Sequence, residues 1–105
     1  MAEYFMLQMM SEFRRAIDER ALDPAKLKAI VGPAETAGKT VLRVNLYADD
    51  ALIAASDKPC GAIDDLPLEF DDVYDALMTI GVASLSIAIK FDHHGQALNV
   101  RPYEF

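Results

Sequence analysis

The sequence has no tryptophan, a single cysteine (Cys60) and only ten Lys and Arg among its 105 residues. One cysteine excludes an internal disulfide and fits a reduced, cytoplasmic protein. No apolar run approaches the ~18 residues of a membrane span. The opening MAEYFMLQMMSEF carries Glu3 and lacks the basic n-region of a secretory leader, so neither export nor a membrane is expected. Positive charge is scarcest in the middle: between Val44 and Ile89 nine carboxylates face Lys58 alone, so this stretch carries −8 and outweighs the +1 of residues 1–43 to give the net charge of −7. Phosphate backbones are gripped by surfaces rich in Lys and Arg, which argues against direct nucleic-acid binding. Hydrophobic residues, by contrast, make up 52% of the chain. That is enough for one folded domain, 1–105, with a single core.

The clearest local pattern lies at 83–105. Leu85, Ile87, Ile89 and Phe91 alternate with Ser84, Ser86, Ala88 and Lys90; after the break DHHG, Leu98 and Val100 alternate with Ala97, Asn99 and Arg101. Period-two alternation marks half-buried strands, and Asp92 and Gly95 suit the ends of a tight loop, so a β-hairpin is predicted. A second hairpin is predicted from Thr40–Tyr47 and Ala51–Ser56, turned at Ala48-Asp49-Asp50. Three helices are expected. Residues 2–20 carry Met6, Met9, Met10, Phe13, Ala16 and Ile17 at helical spacing, the methionines filling the core. Asp23-Pro24 reads as the cap and first position of a short second helix with Leu27, Ile30 and Val31 as its stripe, stopped by Gly32-Pro33. Glu69–Ile80 repeats the pattern with Phe70, Val73, Tyr74, Leu77 and Ile80, ended by Gly81.

Several residues invite chemical readings. GPAETAGKT at 32–40 resembles a phosphate-binding loop, but five residues separate Gly32 from Gly38 and a strand rather than a helix follows, so Lys39 and Thr40 read as turn and strand-start residues. Asp49-Asp50 has no further ligand at useful spacing for a hard cation and reads as turn chemistry. Cys60, between Pro59 and Gly61 in the irregular stretch 57–68, needs a base to become a nucleophile, and His93 and His94 are the only histidines available. Those histidines lack the further ligands of a metal site. No cofactor, no metal and no catalytic residue is therefore expected.

The feature that departs from simple structural need is acidic. Asp64, Asp65, Glu69, Asp71, Asp72 and Asp75 fall within twelve residues. Asp75 lies three and four positions from Asp72 and Asp71, where like charges on a helix repel by roughly 0.2–0.5 kcal/mol a pair. Such a run is either a solvated face or a binding surface for a basic partner.

The expected fold is α+β: helices packed on one face of a four-stranded antiparallel sheet built from two hairpins, in the order α-α-ββ-α-ββ. Leu42, Val44, Leu46, Leu85, Ile87, Ile89, Phe91, Leu98 and Val100 would meet the helices. The opposite face would show Arg43, Tyr47, Lys90, Arg101 and Tyr103, a mixed polar and aromatic surface open to a partner or to a second copy in a homodimer. The closing stretch KFDHHGQALNVRPYEF resembles that of the small YezG-type immunity proteins, which neutralise a toxin by binding it; the resemblance is confined to 90–105. The function expected is that of a small acidic inhibitor, of the immunity, antitoxin or anti-defence type, occupying a basic surface of a protein partner. A homodimeric adaptor using the sheet face, and a small enzyme or ligand-binding protein using Cys60 or His93 and His94, are the alternatives.

Overall fold

Helical periodicity holds where the sequence is amphipathic over several turns. In the computed structural model, which describes residues 2–59 and 66–103, α1 spans Ala2–Glu19 and α2 spans Leu66–Thr79. Met9 and Phe13 of α1 and Val73 of α2 have no exposed surface; burying side chains of this size contributes roughly 1.5–3 kcal/mol each. Both helices close with the same C-terminal hydrogen bonds. Leu22 N–H donates to Ile17 and Ala21 N–H to Asp18; in α2 the pairs are Val82 to Leu77 and Gly81 to Met78. The residue that turns the chain is in the left-handed region in both, Gly81 at φ +92° and Ala21 at φ +51°.

The second helix predicted from Asp23-Pro24 does not form. Asp23 does cap, accepting from the Ala25 N–H at 3.1 Å, but the structure is one 3-10 turn, Pro24–Lys26. The chain then extends as β1 (Lys28–Thr36), through the Gly32-Pro33 pair that the sequence reading used as a helix stop. Leu27, Ile30 and Val31 are too few to fix a period, and β1 gains partners on both sides. It pairs antiparallel with β2 (Lys39–Ala48) and parallel with β4 (Ser84–Ile87). Pro33 lies beyond the last pair with β4, Val31 with Ile87, so its missing N–H breaks no ladder bond.

β2 returns through β3 (Ala51–Pro59). Both connections have two left-handed residues, Ala37-Gly38 (φ 52° and 75°) and Asp49-Asp50 (φ 49° and 68°), the conformation whose twist suits a two-residue hairpin. The predicted hairpin at Asp49-Asp50 is thus present, with β3 continuing to Pro59.

The five-stranded sheet has the order β3-β2-β1-β4-β7, where β7 is Arg101–Pro102 and pairs antiparallel with β4. A separate ribbon joins β5 (Lys90–Phe91) to β6 (Ala97–Leu98). This corrects the four-stranded, two-hairpin layout: the fold is α+β with two helices and a mostly antiparallel sheet of five strands, arranged α-β-β-β-α-β followed by the ribbon and β7. The predicted C-terminal hairpin is split. Its base is β4 with β7 inside the sheet, and its tip is the ribbon outside it.

One face of the sheet packs on the helices. Ala29, Val31, Leu42, Val44, Leu46 and Leu85 share a core with Phe5, Met9, Phe13, Ile17, Val73 and Leu77. The break after Ile87 sends the remaining alternating residues elsewhere. Ile89 and Val100 are exposed, and Phe91 is buried in a second cluster with Ala34 and Val41. These three, expected against the helices, do not reach them, because the strand ends at Ile87 and the chain crosses β1 to the other side.

Candidate functional site

That crossing builds a structured surface on the outer side of the sheet. Residues 88–100 form an arm over the sheet face turned away from the helices. Ala88 N–H donates to the Val31 carbonyl at 2.8 Å, and a Cβ on Gly32 would stand 2.7 Å from the Ala88 carbonyl oxygen. Phe91 anchors the arm on Ala34 and Val41, with Ile30 and Ala97 packed around it. The turn at the tip is organised by one carboxylate. Asp92 Oδ1 accepts from the backbone N–H of both His94 and Gln96, each at 2.9 Å. Backbone bonds between Asp92 and Gln96 and between Gly95 and Asp92, also 2.9 Å, complete it. The Gln96 amide above all, with the His94 amide and the nearby imidazoles, holds the Asp92 carboxyl below its ordinary range, against the opposing effect of burial.

Beneath the arm, β2 and β3 present a polar row. Arg43 forks onto Asp57 at 2.8 and 3.0 Å, reaches Thr36 Oγ1 at 3.2 Å, and lies 6.0 Å from the centre of the Phe91 ring. Its hydrogen bond to Asp57 raises its pKa above the ordinary value, outweighing the loss of solvent. Two residues on, the buried Asn45 donates Nδ2–H to the Tyr47 hydroxyl at 3.0 Å. Its Oδ1 has no donor among the described residues. A cleft of ≈ 380 Å³ runs along this row between the His94-Gly95 turn and α1.

The residues expected on an open sheet face therefore separate. Arg43 and Tyr47 lie on it, but Arg43 is a clamp between strands and arm rather than an uncommitted cation. Lys90 is exposed on the ribbon. Arg101 pairs with Ile87, whose side chain packs on the helix-side core. Tyr103 belongs to that side as well, packed against the core with its ring 5.6 Å from Tyr74. The face is not open either, since the arm roofs part of it. Alternation on either side of the DHHG break places these side chains by parity alone, which holds only while both runs stay in one sheet.

The acidic residues are only partly visible. Asp64 and Asp65 lie outside the described residues, as do Cys60 and the side chain of Glu69. Asp71, Asp72 and Asp75 are exposed on α2. Helical spacing places Asp71, Asp75 and Met78 in one stripe, and Met78 is 47% exposed. The His93 and His94 rings lie 3.9 Å apart, centre to centre, tilted by 43°. No group of three or more His, Cys, Asp or Glu among the described residues could hold a metal ion, and none of the described helices is long and apolar enough to cross a membrane. Asn45 is not singled out by the sequence pattern, although a polar amide in the middle of the apolar strand VLRVNLY is an available signal.

Comparison with known protein families, with curated proteins and with solved structures finds no match to this chain.

Proposed function

We propose that the protein is a non-catalytic binding protein that occupies a basic surface of a protein partner, as immunity, antitoxin and anti-defence proteins do, and that the outward face of α2 is the contact. The observation that carries this reading is the exposed Met78 in the same helical stripe as Asp71 and Asp75. Carboxylates steer a basic partner and speed its arrival, and a flexible thioether adapts to an apolar contact once the charges have met. The acidic run is tolerated because it is weak beside the burial behind it. Like-charge pairs on the helix oppose it by roughly 0.2–0.5 kcal/mol each, while Val73 and Leu77 each return roughly 1.5–3 kcal/mol from the other face.

The test compares the wild-type chain with Asp71→Lys/Asp72→Lys/Asp75→Lys, both tagged, in native lysate. A protein retained by the wild type at low salt, released at high salt and not retained by the triple variant is the expected result. Circular dichroism checks that the variant is folded. The same protein held equally by a folded triple variant would remove α2 as the contact.

A further inference from the structure

The outer sheet face contains a polar group whose bonding needs the fold leaves unmet. Asn45 is 2% exposed, one end of its amide is bound to Tyr47, and the oxygen at the other end is buried without a donor among the described residues. Buried amide oxygens are almost always paired, because they lose water on folding and recover nothing if left alone. The position lies across from Ile30 on one side and Ala55 on the other, where valine would pack without that loss. The asparagine is therefore unexplained by the fold itself.

Its surroundings specify what would satisfy it. The cleft it lines, ≈ 380 Å³, is in the size range of small-ligand sites. Glu12 and Asp57 contribute carboxylates to the walls, and Gln8 and Ser56 add further oxygens. Among the described residues that line the cleft Arg43 is the only Lys or Arg, and it is already forked onto Asp57. With His94 neutral, Glu12 and Asp57 against Arg43 leave the described lining rich in acceptors and negative in sum. We propose that it binds a small organic cation carrying N–H donors, an alkylammonium or alkylguanidinium, with Asn45 Oδ1 accepting from the cation and Glu12 balancing its charge. This site is separate from the acidic face of α2.

The oxygen is shielded from solvent in the free protein, so a donor reaches it only when a wall moves. Most walls belong to the sheet and to α1. The exception is the His94-Gly95 turn, carried on a ribbon of two residue pairs, Lys90 with Leu98 and Phe91 with Ala97. Binding displaces this turn, which makes its amides the natural reporters.

The experiment is a titration of the ¹⁵N-labelled full chain with n-butylammonium and with methylguanidinium, n-butanol serving as the uncharged control. Saturable shifts of the Asn45 side-chain amide and of the His94 and Gly95 backbone amides are expected with at least one cation and not with butanol. Glu12→Gln, a change on the helix surface, weakens binding about threefold, as loss of a part-exposed charge pair does. Asn45→Val weakens it about tenfold or more, because the accepting oxygen is gone, while the melting temperature stays level or rises. Should Asn45→Val not fold, Glu12→Gln decides. The proposal is overturned by shifts that do not saturate, by equal shifts with butanol, by unchanged affinity in the folded variants, or by shifts confined to Asp71–Asp75.

Discussion

Gly32 shapes the architecture through the side chain it lacks. Its φ is unexceptional; what matters is the absent side chain, because the arm's backbone passes where a Cβ would be, 2.7 Å from the Ala88 carbonyl oxygen. A methyl group there must push the crossing away from β1. Gly32→Ala is therefore expected to lower stability by roughly 1–3 kcal/mol, the usual penalty of overpacking, measured by urea denaturation with the slope unchanged. A loss below the error of that measurement would mean that the arm yields freely. None of this was readable locally: glycine followed by proline is an ordinary helix stop, and the need for close approach is set by a distant segment. Ala21 illustrates the same limit in a smaller way. It closes α1 in the left-handed conformation that glycine supplies for α2, so Gly81 announced its helix end and Ala21 did not.

Among the elements, the turn 92–96 was largely legible, since Asp92 and Gly95 are the residue types such turns require, and its pairing Phe91 with Ala97 follows. Its placement across the sheet was not, because a stretch of alternating residues reads the same whether it continues a sheet or leaves it. β1 was obscured by a different cause: three apolar residues fit either period, and the double pairing that decides the matter is tertiary. The turn also has its own pH dependence. Asp92 is held below its ordinary range by the Gln96 amide first and the His94 amide and imidazoles after it. Its ionised form therefore supports the turn above the unfolded carboxyl's range, and that support is lost as pH falls through the depressed folded value. Amide shifts of Gln96 and His94, followed by NMR during acid titration, should share a midpoint below that of ordinary carboxyls. In Asp92→Asn this transition should vanish. A midpoint at or above the ordinary carboxyl range would contradict the assignment.

Across the whole molecule, charge and polarity are divided between surfaces. α2 turns its exposed aspartates outward, the core lies between the helices and one side of the sheet, and the far side keeps its own small cluster under the arm. The α+β class and the division into helix-facing and outward-facing strand residues were open to sequence reasoning in β2 and in β4 as far as Ile87. The strand order was not. That order has a consequence for how the chain can be made. β1 is the middle strand, yet one of its two neighbours, β4, follows only after β2, β3 and α2. During synthesis β1 can pair with β2 as soon as both have left the ribosome, but its other edge waits, unpaired, until Ser84–Ile87 emerges. Such delayed, long-range pairing is slow to form and prone to association with other chains. A fragment ending at Val82 is thus expected to lack a cooperative unfolding transition and to self-associate in light scattering. Adding a peptide of residues 83–105 should reduce the association by supplying the missing neighbour. A monomeric, cooperatively folded fragment would show instead that the first three strands and both helices suffice. Otherwise the strands translated after α2 decide whether β1 is safe from other chains.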